Sequence, residues 1–97
     1  MKVVGLKTLD KFKNKHGDCR TQIDEWLKDV RNSNWRSFND IKKVYPSASV
    51  LNGNTVIFNI KGNKYRLVTV VVIVAGRVFI EWVGTHEEYN GKIFKGV

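Results

Sequence analysis

The residues best equipped for chemistry in this 97-residue chain are His86 and Tyr89, three apart and preceded by Thr85. Thr85 and Glu88 have the S/T-x-x-E spacing of a capping box, which predicts a helical turn from Thr85 with His86 and Tyr89 on one face. Imidazole moves protons near neutral pH, and a phenol donates one or holds a phosphate oxygen. Arg66 opens a strongly apolar stretch, with Lys64 two residues earlier on the same pleat face and Asn63 in the turn before it. A guanidinium gripping phosphate beside a His–Tyr pair suits RNA cleavage, in which the 2′-hydroxyl attacks the adjacent phosphate and the 5′ oxygen leaves. Each residue also has a plainer reading. His86 is a polar residue at a helix start, Tyr89 shields a sheet edge, Lys64 is solvated, and Glu81 pairs with Arg66 across the sheet.

Three apolar stretches must position these groups: VIFNI ending at Ile60, YRLVTVVVIV from Tyr65, and VFIEWV from Val78. The connections KGNK and AGR are short and carry glycine, so the strands reverse and form an antiparallel meander. That topology sets the start of the second strand beside the end of the third, and so Arg66 beside His86. Val68 to Val74 is apolar at nearly every position, the pattern of a central strand covered on both faces.

The preceding residues supply helices for one side of this sheet. The opening MKVVGL predicts a short edge strand, and Leu6, Leu9 and Phe12 recur at helical spacing up to a break around Gly17. Ile23, Trp26, Leu27 and Val30 follow the i, i+3, i+4, i+7 rule and mark the clearest helix, ending in RNSNW. A third short helix starts at Ser37, with Asp40 three residues on in a variant capping box; Ile41 and Val44 face inward, and Pro46 stops it. SASVLNGN is a loop or brief extended piece. The expected fold is α+β, a single compact domain over 1–97 with N-terminal helices packed on the antiparallel sheet.

Composition narrows the partners. Seventeen Lys plus Arg against nine Asp plus Glu give a formal charge of +8, and the segment from Thr55 to Ile80 holds Lys61, Lys64, Arg66 and Arg77 with no acidic residue. An electropositive sheet favours polyanions, nucleic acid foremost, with Lys61, Asn63 and Arg77 as candidate RNA contacts beside the catalytic set. Many small soluble proteins are basic without binding nucleic acid, so charge leaves that alternative open. Cys19 is the only cysteine, which excludes an intrachain disulfide and a cysteine zinc cluster and fits a reducing cytoplasm. His16 and His86 are the only histidines, no phosphate-binding glycine loop is present, and no apolar run is long enough for a membrane span; neither a metal nor a small-molecule cofactor is expected.

The succession Trp35, Asp40-Ile41, Tyr45-Pro46-x-Ala48, Val56-Ile57-Phe58-Asn59-Ile60, Gly62-Asn63-Lys64-Tyr65-Arg66-Leu67-Val68 and Thr85-His86-x-x-Tyr89 resembles the HigB-like toxins of bacterial type II toxin-antitoxin systems, within the wider RelE/ParE group. The resemblance implies a RelE-like fold and an mRNA interferase, an endoribonuclease that cuts mRNA on the translating ribosome without a metal. It also implies neutralisation by a cognate helix-turn-helix antitoxin of the HigA-like kind. The family's working groups fall on Asn63, Lys64, Arg66, His86 and Tyr89. Two other classes remain beside this one: a non-catalytic RNA- or ribosome-binding module, and a gyrase-poisoning toxin of related fold.

Overall fold

The computed structural model describes residues 1–91. The chain runs β1 (Lys2–Val4), α1 (Leu6–Lys15), a 3-10 turn (Gly17–Cys19), α2 (Arg20–Arg31), α3 (Phe38–Val44), β2 (Ser49–Val50), β3 (Thr55–Ile60), β4 (Tyr65–Val72), β5 (Arg77–Thr85) and α4 (His86–Asn90). All five strands form one sheet in the order β1-β5-β4-β3-β2.

The β3–β4–β5 meander is antiparallel, as its short turns require. Gly62 and Gly76 take positive φ in those turns, where a side chain would be strained. The N-terminal strand does join the edge, but parallel to β5, with Lys2 beside Arg77 and Val4 beside Phe79. The sheet is therefore mixed and not antiparallel throughout. Three helices and the rest of the meander separate β1 from β5 in sequence, and a long connection of that kind permits parallel pairing where a tight turn cannot. The brief extended piece is β2, two residues on the opposite edge.

Alternation along the strands sorts the core. Val56, Phe58 and Ile60 of β3, Tyr65, Leu67 and Val71 of β4, and Val78 of β5 meet Leu9 and Phe12 of α1 and Ile23, Trp26 and Val30 of α2. Phe58 is the hub, with the rings of Trp26, Trp35 and Tyr45 centred 5.3, 6.5 and 5.2 Å from its own. Burial of Trp26, at 2% exposure, is by itself worth about 3–5 kcal/mol against truncation to alanine.

Four local expectations change. Val44 does not face inward: it is 57% exposed, because the seven-residue α3 is too short to bury more than Ile41. Ser37 occupies the N-cap of α3 without a side-chain bond, and Asp40 instead accepts from the Arg36 backbone N–H at 2.9 Å. Helices α1 to α3 cover only one face of β4; on the other, Val70 and Val72 are partly exposed, and Val74 lies beyond the strand, 98% exposed. A register shift between Val68 and Thr69 leaves Glu81 as the extra residue of β5, puts Trp82 and not Glu81 opposite Val68, and sets Gly84 opposite Arg66. No described helix is long and apolar enough to cross a membrane.

Candidate functional site

The β4–β5 register brings the site together. Tyr65 lies opposite Thr85 and Arg66 opposite Gly84, so the start of one strand and the end of the next share one corner of the sheet. There α4 begins, fixed by a complete capping box: the Glu88 N–H donates to Thr85 Oγ1 at 3.1 Å and the Thr85 N–H donates to Glu88 Oε1 at 2.8 Å. The bond from the Thr85 N–H holds the Glu88 carboxyl below its ordinary pKa. The His86 N–H donates in turn to the Lys64 carbonyl at 3.0 Å, tying the helix start to the first hairpin turn. These bonds aim the imidazole at β4.

Arg66 Nη2 and His86 Nδ1 lie 2.8 Å apart. A guanidinium only donates, so Nδ1 is the acceptor and the neutral ring carries its proton on Nε2. Arg66 Nη1 donates to Asn59 Oδ1, directly across on β3, and Asn59 Nδ2 donates to the Ser47 carbonyl at 3.1 Å. The Tyr89 ring centre lies 5.4 Å from Arg66 Cζ. Among the described residues no carboxylate forms an ion pair with this half-buried guanidinium. A cation held by a carboxamide, an imidazole and a phenol ring keeps its charge available for an incoming anion. Lys64, Thr85, His86 and Glu87 line an open cleft of about 410 Å³ beside it.

Lys64 belongs to the other side of the same corner. It lies in the turn, not on the pleat face of Arg66, and its Nζ is 2.6 Å from Asp18 Oδ2. Asp18 Oδ1 accepts from the Tyr65 hydroxyl at 2.6 Å, and Lys61 Nζ donates to the Asp18 carbonyl at 3.1 Å. The hydrogen bond from Lys64, followed by that from Tyr65, lowers the Asp18 pKa to about 2; the same bond raises Lys64. The ammonium therefore stays protonated, at the rim of the cleft and anchored to the helical side.

Of the other candidate RNA contacts, Asn63 stands exposed in the first turn close to the site. Arg77 opens β5, eight residues upstream of Thr85 and so roughly 25 Å away at strand rise, where its side chain donates to the Ala75 carbonyl. It takes no part in the corner formed by Arg66 and His86. Two contributors were missed in the sequence. Asn59 carried a usable signal, since it is the one polar residue between the apolar positions of β3. Asp18 had none, being a single acidic residue in a helix break 46 positions from Lys64. No group of three or more His, Cys, Asp or Glu able to hold a metal ion occurs among the described residues.

Comparison with curated proteins gives no significant match. The family model of the HigB toxin, described as the RelE-like toxic component of a toxin-antitoxin system, matches residues 19–92. That span holds α2, the whole meander and every residue of the Arg66–His86 corner, and the α+β architecture fits a RelE-like fold. The chain belongs to the HigB toxin family, the RelE-like toxic components of toxin-antitoxin systems, and as such has an antitoxin for a partner.

Proposed function

We propose that the protein is a ribosome-dependent endoribonuclease that cuts mRNA during translation. The observation that carries this reading is the Arg66 guanidinium, unpaired with any described carboxylate and 2.8 Å from His86 Nδ1 at the edge of an open cleft. The scissile phosphate sits against Arg66, the 2′-oxygen attacks the phosphorus, and the bond to the 5′ oxygen breaks. Arg66 stabilises the charge that builds on the phosphorane oxygens. His86 donates from Nε2 to the departing 5′ oxygen as general acid, and the proton lost by the 2′-hydroxyl returns through solvent to Nε2, so that the ring ends neutral as it began. The products are a 2′,3′-cyclic phosphate and a 5′-hydroxyl. Tyr89 orients the nucleotide, while Lys64, kept protonated by Asp18, serves as a fixed positive charge at the rim. Asn63 and Lys61 meet the backbone on either side. The antitoxin is a helix-turn-helix protein of the HigA-like kind, and the action is in the cytoplasm.

The test is a translation reaction with purified protein, a defined mRNA and intact ribosomes, run with a chelator and in parallel with His86→Ala, with cleavage positions read by primer extension. Cuts are expected only with ribosomes, to persist under chelation and to fall about 10²–10⁴-fold in the variant. Intact mRNA with the wild-type protein would remove the catalytic reading.

A further inference from the structure

We propose that Trp82 and Tyr89 form a stacking subsite for an RNA base that flanks the phosphate held by Arg66 and His86. The inference rests on the RNA-cleaving reading above and names the group that grips a base.

Trp82 lies on the face of β5 turned away from α1 to α3, opposite Val68 and two residues before Gly84. Its indole does not stand clear of the sheet. It lies along the strand over Gly84, so close that a Cβ at position 84 would meet Cζ2 at 2.4 Å and Cη2 at 2.5 Å. The φ of Gly84 lies outside the left-handed region, so backbone conformation does not require glycine there; the indole does. Gly84 is the cross-strand neighbour of Arg66, and the six-membered ring of Trp82 is thereby set beside the arginine that receives the phosphate. Tyr89 completes the group, its ring centre 6.3 Å from that of Trp82 with 44° between the planes, and 5.4 Å from Arg66 Cζ.

The other two tryptophans, Trp26 and Trp35, are 2% and 6% exposed in the core, whereas Trp82 and Tyr89 are both partly exposed. Two aromatic rings flanking a cation that lacks a carboxylate match one nucleotide unit: phosphate to the guanidinium, base to the rings. Such a platform accepts every base, because each presents a π face. It therefore adds affinity and position, not sequence choice.

The experiment titrates purified protein with a 2′-fluoro RNA octamer, which keeps phosphates and bases but lacks the attacking hydroxyl, and with the same octamer made abasic. Anisotropy of an end-labelled oligomer gives affinity, and tryptophan emission reports contact with Trp82. The base-bearing octamer is expected to bind about ten- to a hundred-fold more tightly than the abasic one and to quench the emission. Trp82→Phe should keep the preference and lose the quench; Trp82→Leu, apolar but without a π face, should bind both oligomers alike. Gly84→Ala, which displaces the indole without removing it, should resemble Trp82→Leu. No binding, equal affinity of the wild type for both oligomers, or a Trp82→Leu protein as discriminating as Trp82→Phe would overturn the subsite. None of these readouts needs cleavage. A protein that prefers bases yet leaves mRNA intact on ribosomes would sink the nuclease reading alone.

Discussion

Tyr65 and Arg66 are adjacent in sequence and point to opposite faces of one sheet, and the two sides of that corner treat charge in opposite ways. On the helical side, Asp18 binds Lys64, Tyr65 and Lys61, and both lysines meet an oxygen of the chain itself. On the open side, Arg66 has, among the described residues, only Asn59, His86 and the Tyr89 ring, all uncharged in the arrangement that Nδ1 acceptance dictates. The first arrangement fastens the 3-10 turn between α1 and α2 to the hairpin; the second keeps a positive charge in reserve. Strand alternation separates them, so one tripeptide, Lys64-Tyr65-Arg66, both anchors the fold and equips the cleft.

This contrast is most severely tested at Arg66. Arg66→Ala is expected to lower ribosome-dependent cleavage by about 10²–10³-fold, and Arg66→Lys should recover little, since an ammonium lacks the planar fork that reaches Asn59, His86 and a phosphate together. Primer extension on a stalled-ribosome template measures both, and wild-type cutting by Arg66→Ala would erase the distinction between the two sides.

Asp18→Asn, which keeps the Lys64 charge, should cost less in cleavage than Lys64→Ala, which removes it, and both should stay below about tenfold, the scale of a single charge-assisted hydrogen bond. Their signature is in stability against pH. With its folded pKa lowered to about 2 from 3.8, Asp18 contributes stability that is complete above the unfolded value and is lost as pH falls through the folded one. Urea unfolding at stepped pH should show the wild type losing stability across that interval and Asp18→Asn losing less; parallel curves would mean that the anchor does not hold in solution.

The smallest effect is expected at Arg77, far along β5 from the cleft. Arg77→Ala should leave cleavage within about twofold of wild type, as for a solvated surface charge. A loss approaching that of Arg66→Ala would extend the RNA path along the whole open face.

Features governed by neighbours in sequence were legible without coordinates. The capping box at Thr85 and Glu88, the two glycine turns and the periodicity of Ile23, Trp26 and Val30 each involve residues within a few positions of one another, and each is present. The Arg66–His86 contact was legible for the same reason, because one hairpin register determines it. Features that depend on distant partners were not. The parallel pairing of Lys2 with Arg77 and the bonds of Asp18 to Lys64 and Tyr65 leave no periodic trace. Glu81 misled because an unbroken hairpin register would set it opposite Val68, diagonal to Arg66, and a bulge, which no pattern in VFIEWV announces, puts Trp82 there instead.

The sequence distances spanned by these contacts also rank the order in which they can break. Arg66 and His86 are 20 residues apart and lie on one hairpin; Asp18 and Lys64 are 46 apart; β1 closes on β5 across nearly the whole described chain. Loss of the parallel edge strand, or of the anchor at Asp18, removes long-range contacts but leaves the hairpin and its turn, the cheapest loop to close. Fraying from the N-terminal side would therefore not disarm the corner. A partner that has to silence it must either cover the open face of β4 and β5 or pull those two strands apart.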